Sequence, residues 1–139
     1  MTKYDFLDGE RVRKAHSVRQ IPPVFQSLAT ELARIPDLRY IKIFPDRIAA
    51  SNVLSADGKK NPVAVVGGEG IVAVELLIDV PNKVVQFYAL TSATKGCGRQ
   101  IVDAVVGATP QDWFLAVFMD WSGGFWNRMA QEYPRLSVC

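Results

Sequence analysis

Apolar residues recur at two different spacings along this chain, and the switches between the spacings mark its elements. In "PPVFQSLATELARIP", Phe25, Leu28, Leu32 and Ile35 fall three or four positions apart. That spacing predicts an amphipathic helix opened by Pro22 and Pro23 and closed before Pro36. Upstream, Arg11–Val18 alternates weakly and reads as a short first strand, with Met1–Asp8 leading into it. Asp46 is a good N-cap after Phe44-Pro45, and Ile48, Ala49, Asn52 and Val53 then run to an Asp57-Gly58 stop. This predicts a second helix, with a strand as the alternative reading of "RIAASNVL".

From Asn61 the period shortens. "PVAVV", "IVAVELLID" and "VVQFYALT" are β-rich runs separated by "GGEG" and "VPNK", and they read as a three-strand antiparallel meander. A hairpin with Val80 opposite Lys83 sets Leu77 opposite Gln86 and Glu75 opposite Tyr88, so that these four share one face. After Gly98, Ile101, Val102, Val105 and Val106 line one face of another helix that stops at Gly107. Asp112–Asp120 is a strand, Phe125–Glu132 a short helix, and Leu136–Val138 a last strand. The predicted order is β-α-α-β-β-β-α-β-α-β, without internal repeat, linker or low-complexity tract.

At 139 residues, 49% of them hydrophobic, the chain supports one core, so residues 1–139 are read as a single domain. Sixteen Lys and Arg against 14 Asp and Glu leave a net charge of +2, too little for a long-range field that would gather nucleic acid or an anionic membrane. The N-terminus carries no signal-like apolar run, and no stretch approaches a membrane span, which gives a soluble, cytoplasmic expectation. The two cysteines, Cys97 and Cys139, have no metal-type spacing, and no metal site is expected.

The remaining feature that points to chemistry is "SATKGCGRQIVDAVVG", where a strand ends in Gly96-Cys97-Gly98 and passes into a helix. First-turn amides of a helix lack intrahelical partners and attract anions. Glycines would let a diphosphate approach the backbone, and Lys95 and Arg99 could add charge-assisted contacts. Turn geometry alone is the alternative explanation of the two glycines. The stretch is neither a Walker loop nor a dinucleotide fingerprint, because a following Gly-Lys-Ser/Thr and a third glycine are both missing. Cys97 reads as a small packing residue, since the lone His16 is distant and nothing nearby activates a thiolate.

"ATKGCG", Ala93–Gly98, resembles the Arg/Gln-x-x-Gly-x-Gly/Ala motif of the GNAT superfamily of acyl-CoA-dependent N-acetyltransferases, with Ala93 where that family prefers Arg or Gln. "VRKAHSVRQIPPVFQSLATEL" is similar to the family's first strand and helix, Asn61–Thr91 to its strands two to four, and "FWNRMA" to its Phe-Tyr-x-Lys/Arg-x-Gly pattern. The resemblance implies an α/β (α+β) fold: a mixed, mostly antiparallel central sheet flanked by helices. It also implies direct acetyl transfer from acetyl-CoA to a primary amine of a small molecule or protein, without a metal. The co-substrate would lie in a cleft around Tyr88–Thr91 and Val117–Met119. Its pantetheine would pair with the backbone at Leu90 and Thr91. Its pyrophosphate would meet the amides of Lys95, Gly96, Cys97, Gly98 and Arg99. Trp126 stands where the family has a tyrosine acid and would border the co-substrate, leaving water, Tyr133 or Tyr88 to protonate the departing thiolate. A catalytically impaired CoA-binding or protein-interaction module is the alternative. The family usually ends in two strands where this chain has one, which implies an open edge and a homodimer.

For the base, Glu75 is the candidate, because a carboxylate flanked by Ala73 and Leu77 on its face needs water, a partner or a substrate amine. Glu69 reads as a turn residue and Asp120 as a helix cap. Trp113, Trp121 and Trp126 read as core or cleft walls.

Overall fold

The computed structural model describes residues 7–8, 22–44, 46–56, 61–63, 70–92, 96–117 and 124–138. Along them lie β1 (Leu7–Asp8), α1 (Pro23–Leu32), β2 (Tyr40–Ile43), β3 (Arg47–Ser51), β4 (Val72–Asp79) and β5 (Val84–Ser92). Then follow α2 (Cys97–Ala108), β6 (Phe114–Val117), α3 (Phe125–Glu132) and β7 (Leu136–Val138). The strands form one sheet in chain order from β1 to β7. Neighbours from β1 to β5 are antiparallel, whereas β5–β6 and β6–β7 are parallel and are bridged by α2 and α3. The fold is α+β with a mixed open sheet. No described helix is long and apolar enough to cross a membrane.

The helix predicted from Asp46 to Gly58 is not formed. Arg47–Ser51 is instead a strand held between β2 and β4, and Tyr40–Ile43, which carried no prediction, is its partner. Alternation explains the outcome: Ile41, Ile43, Ile48 and Ala50 are all buried and pair across the two strands as Ile41–Ala50 and Ile43–Ile48. Ladder bonds on both sides and a period-two apolar face outweigh the helix preference of two alanines. The strand predicted at Arg11–Val18 lies outside the described residues, as does Pro62–Val66 beyond Pro62, which bridges to Leu54, and Val63.

The pairing gives the sheet two dissimilar faces. Ile48, Leu76 and Phe87 are successive neighbours on the first face, as are Ile78, Val85, Leu115 and Leu136 one row further along. These side chains form one cluster with Phe25, Leu28 and Leu32 of α1, Ile101, Val102 and Val105 of α2, and Trp126 and Met129 of α3. All three helices therefore cover the same face, and each fully buried Leu, Ile or Phe there contributes roughly 1.5–3 kcal/mol. The second face carries small or polar rows: Tyr40–Ser51–Ala73–Thr91, Lys42–Ala49–Glu75–Ala89, and Arg47–Leu77–Gln86–Ala116.

α1 starts at two prolines as expected but ends at Leu32, three residues early. Arg34, Ile35 and Leu38 then donate to carbonyls three residues back, and this tightened turn keeps Ile35 buried. The β4–β5 turn is fixed by Asp79, whose carboxylate accepts from the Asn82 amide nitrogen at 3.1 Å and the Asn82 side chain at 2.8 Å. Those bonds hold the Asp79 carboxyl below its usual range.

Candidate functional site

β5 begins in the predicted register, with Asp79 opposite Val84 and Leu77 opposite Gln86. Phe87 still faces Leu76 in that register, but between Leu76 and Glu75 the pairing shifts by one residue, so that Ala89 rather than Tyr88 faces Glu75. Tyr88 is the extra residue of a β-bulge. The expected Glu75–Tyr88 pair is therefore not made, because an inserted residue displaces every later position by one. Tyr88 is 49% exposed. The described β5–β6 ladder ends at the same place: it comprises Val84–Phe114, Val85–Leu115 and Gln86–Ala116, while β5 runs on to Ser92 and Val117 pairs with Val138 of β7. Among the described residues the two parallel strands thus pair over three positions, ending beside a bulge that re-aims a tyrosine.

β5 leads into α2 through Gly96, the helix N-cap, at φ +86°. That left-handed backbone is the reason for glycine there, since a Cβ would strain it although nothing lies within 4 Å of the position. Gly98 has a different reason. A Cβ on it would lie 3.3 Å from the Phe125 ring of α3, so its absence lets α3 pack against the start of α2. The Gly98 amide donates to the Ser92 hydroxyl at 3.1 Å. Arg99 reaches Glu132 of α3 at 3.1 Å, an exposed pair worth little by itself. Lys95 and Ala93 lie outside the described residues. Leu90 packs on the core and Thr91 is buried in the row with Ala73, so both offer a ligand only their backbone.

Cys97, the first residue of α2, is buried, and its thiol donates to Asp37 of the turn after α1 at 3.5 Å. Burial first, then the Asp37 hydrogen bond and charge, push the thiol from 9.0 up to about 11. Cys97 is thus a packing residue rather than a nucleophile. Because the folded thiol titrates above the unfolded one, its share of stability is intact below pH 9.0 and is lost as pH rises through about 11. In a Cys139→Ser variant, Cys97 is expected to resist iodoacetamide in the native state and to react freely in denaturant. Equal labelling of the two states would contradict this placement.

Glu75 is half-buried between Ala49 and Ala89, and Arg47 lies 3.2 Å from its carboxylate. The Arg47 guanidinium also covers the Phe44 ring at 4.4 Å. Tyr133 is placed elsewhere: it caps the C-terminal end of α3, about 10 Å along the helix from Trp126 at 1.5 Å per residue. Its hydroxyl donates to Asp103 of α2 at 2.9 Å, and burial together with that carboxylate raises its pKa. Trp126 is buried against Phe87, with centroids 4.8 Å apart, and against Phe125, at 5.1 Å.

The structure therefore gathers the Phe87–Tyr88 bulge, Ser92, Gly96–Arg99, Phe125 and Trp126 at one end of β5, with Glu75 on the far side of the sheet and Tyr133 apart. Asp37 and Ser92 belong to this neighbourhood and Arg47 to that of Glu75, and none of the three carries a motif. Only the position of Ser92, directly before the glycine turn, hinted at a role. No family model matches the chain, and comparison with curated proteins and with solved structures found no significant match.

Proposed function

We propose that this chain is an acyl-CoA-dependent N-acetyltransferase that acetylates a primary amine of a small molecule or protein. One observation supports the reading: a β-bulge at Tyr88, next to the last described β5–β6 pair Gln86–Ala116, in a strand that ends at Ser92, four positions before the helix N-cap Gly96. Past the bulge, the β5 backbone at Leu90 and Thr91 is the candidate partner of an amide-bearing arm. By helix geometry the Cys97 and Arg99 amides precede the α2 ladder and suit a diphosphate, the space over Gly96 is open, and the Gly98 amide is shared with Ser92.

In the reaction the neutral amine attacks the acetyl carbonyl, a backbone N–H stabilises the oxyanion, and the thiolate leaves. Glu75 is the candidate to take the ammonium proton once Arg47 yields, and the exposed Tyr88 is the candidate to protonate the thiolate. A module that binds CoA without turnover is the second reading. It draws on Tyr133 being tied to Asp103 and on Trp126, whose indole N–H is far too weak an acid, standing at the tyrosine position of the resembled motif.

Thermal or urea stability with added acetyl-CoA tests both readings. At about 100-fold over the dissociation constant, a ligand of the native state should add roughly 2.7 kcal/mol. The same titration of Gly96→Val, read against that variant's own baseline, should show no gain. Stabilisation with thiol release across a panel of amines supports the enzyme, and stabilisation without release supports the module. No stabilisation by acetyl-CoA or CoA would sink both.

A further inference from the structure

At the end of β4 and β5 opposite the bulge, a cavity of about 630 Å³ opens between the β2–β3 and β4–β5 turns. Asp46, Leu77, Asp79, Val80, Pro81 and Val84 line it. It belongs to the second face of the sheet, where Asp79, Val84 and Phe114 form one cross-strand row. Phe114 is 68% exposed and Val80 is 37% exposed, so the apolar surface extends past the cavity itself. A contiguous apolar patch next to a concavity marks an interaction site more often than isolated exposed residues do.

The charge around the groove is one-sided. Asp46 and Asp79 lie in its wall. The Asp79 carboxylate is held in place by Asn82, and the Asp46 carboxylate has no partner among the described residues. The nearby cations are engaged elsewhere: Lys83 contacts Asp112 at 2.9 Å and Arg47 contacts Glu75 at 3.2 Å. A second copy docked through the same patch would bring two acidic groove walls into one interface, since an isologous contact buries the same patch on both subunits. A small ligand confined to the cavity would leave Phe114 uncovered.

We propose that this groove docks a segment of a partner protein that carries lysine or arginine beside apolar side chains. Its cationic group would meet Asp46 and Asp79, and its apolar groups would cover Leu77, Val80, Val84 and Phe114. The proposal does not depend on the acetyl-CoA reading, because the groove lies at the other end of β5 from Gly96.

Two fluorescently labelled probes test it: the peptide acetyl-Ser-Lys-Leu-Phe-Lys-Leu-Ser-amide, and the same peptide with both lysines replaced by glutamate. Anisotropy should show the lysine peptide binding about tenfold more tightly, with the difference shrinking as salt is added. The double variant Asp46→Asn, Asp79→Asn should lose most of that preference. Phe114→Ser should weaken both peptides, and Glu31→Gln, a carboxylate on α1 away from the groove, should change neither. Circular dichroism of each variant confirms that the fold is retained. Equal binding of the two peptides, binding of neither, or full binding by the double variant would overturn the proposal.

Discussion

Replacing Arg135 with Met is expected to destabilise the fold by about 2–4 kcal/mol, because one guanidinium serves four backbone carbonyls. Its Nη1 donates to Val106 and Thr109 at 3.1 and 3.0 Å, and its Nη2 donates to Pro110 and Trp113 at 2.6 and 3.2 Å. These carbonyls end α2 and carry the chain into β6, where the last-turn C=O groups have no helical partner. A cation at that end also opposes the partial negative charge of the helix C-terminus, and no basic residue in the last turn of α2 does so. Methionine keeps the apolar stem and removes the fork, leaving part-buried carbonyls to find water. Arg135→Lys should recover only a minor share, since three donors on one nitrogen cannot span the four acceptors. Urea unfolding should show a lower midpoint with an unchanged slope. A loss below about 0.5 kcal/mol would mean that water replaces the guanidinium without penalty.

Arg135 also shows where reading the sequence stops. Residues Tyr133–Arg135 punctuate two elements, and no spacing rule reports that an arginine after the third helix will close the end of the second. The helices and later strands were legible because their apolar stripes are long: Phe25–Leu28–Leu32, Ile101–Val102–Val105, and Leu76–Ile78 facing Val85–Phe87 all occupy the core. The β2–β3 hairpin was lost because its strands have only four and five residues. The alternation of Ile41, Lys42 and Ile43 was present but too brief to outweigh an Asp N-cap and paired alanines. At the candidate site, the β5 register was readable up to Phe87 and unreadable past it. A bulge depends on how β4 and β5 twist together, and nothing in "QFYAL" marks Tyr88 as the inserted residue. The glycine pair was read as one feature and proves to be two, a left-handed cap at Gly96 and a contact with Phe125 at Gly98. Neither explanation needs a ligand, so the acetyl-CoA proposal rests on the Tyr88 bulge beside the β5–β6 ladder more than on the glycines.

Trp126 carries the second large expectation. Read from sequence as a co-substrate contact, it is 6% exposed, tilted 51° to Phe87 at 4.8 Å and edge-on to Phe125 at 5.1 Å. Trp126→Ala should therefore destabilise the ligand-free protein by about 3–5 kcal/mol, the range for removing a large buried aromatic side chain. A residue that only walled an open cleft would lose under about 1 kcal/mol on truncation, so urea unfolding in the absence of CoA separates the two roles. A double-mutant cycle with Phe87→Leu should return a coupling of about 0.5–1.5 kcal/mol, the contribution of the ring pair beyond burial. That coupling bears on function. Phe87 is the last residue in the predicted register before Tyr88 bulges out, and Trp126 packs against it from the helix layer. Loss of the indole would free Phe87 to shift and relax the bulge, so the conservative change Trp126→Phe should preserve most of the stability and any CoA-dependent gain, while Trp126→Ala removes both.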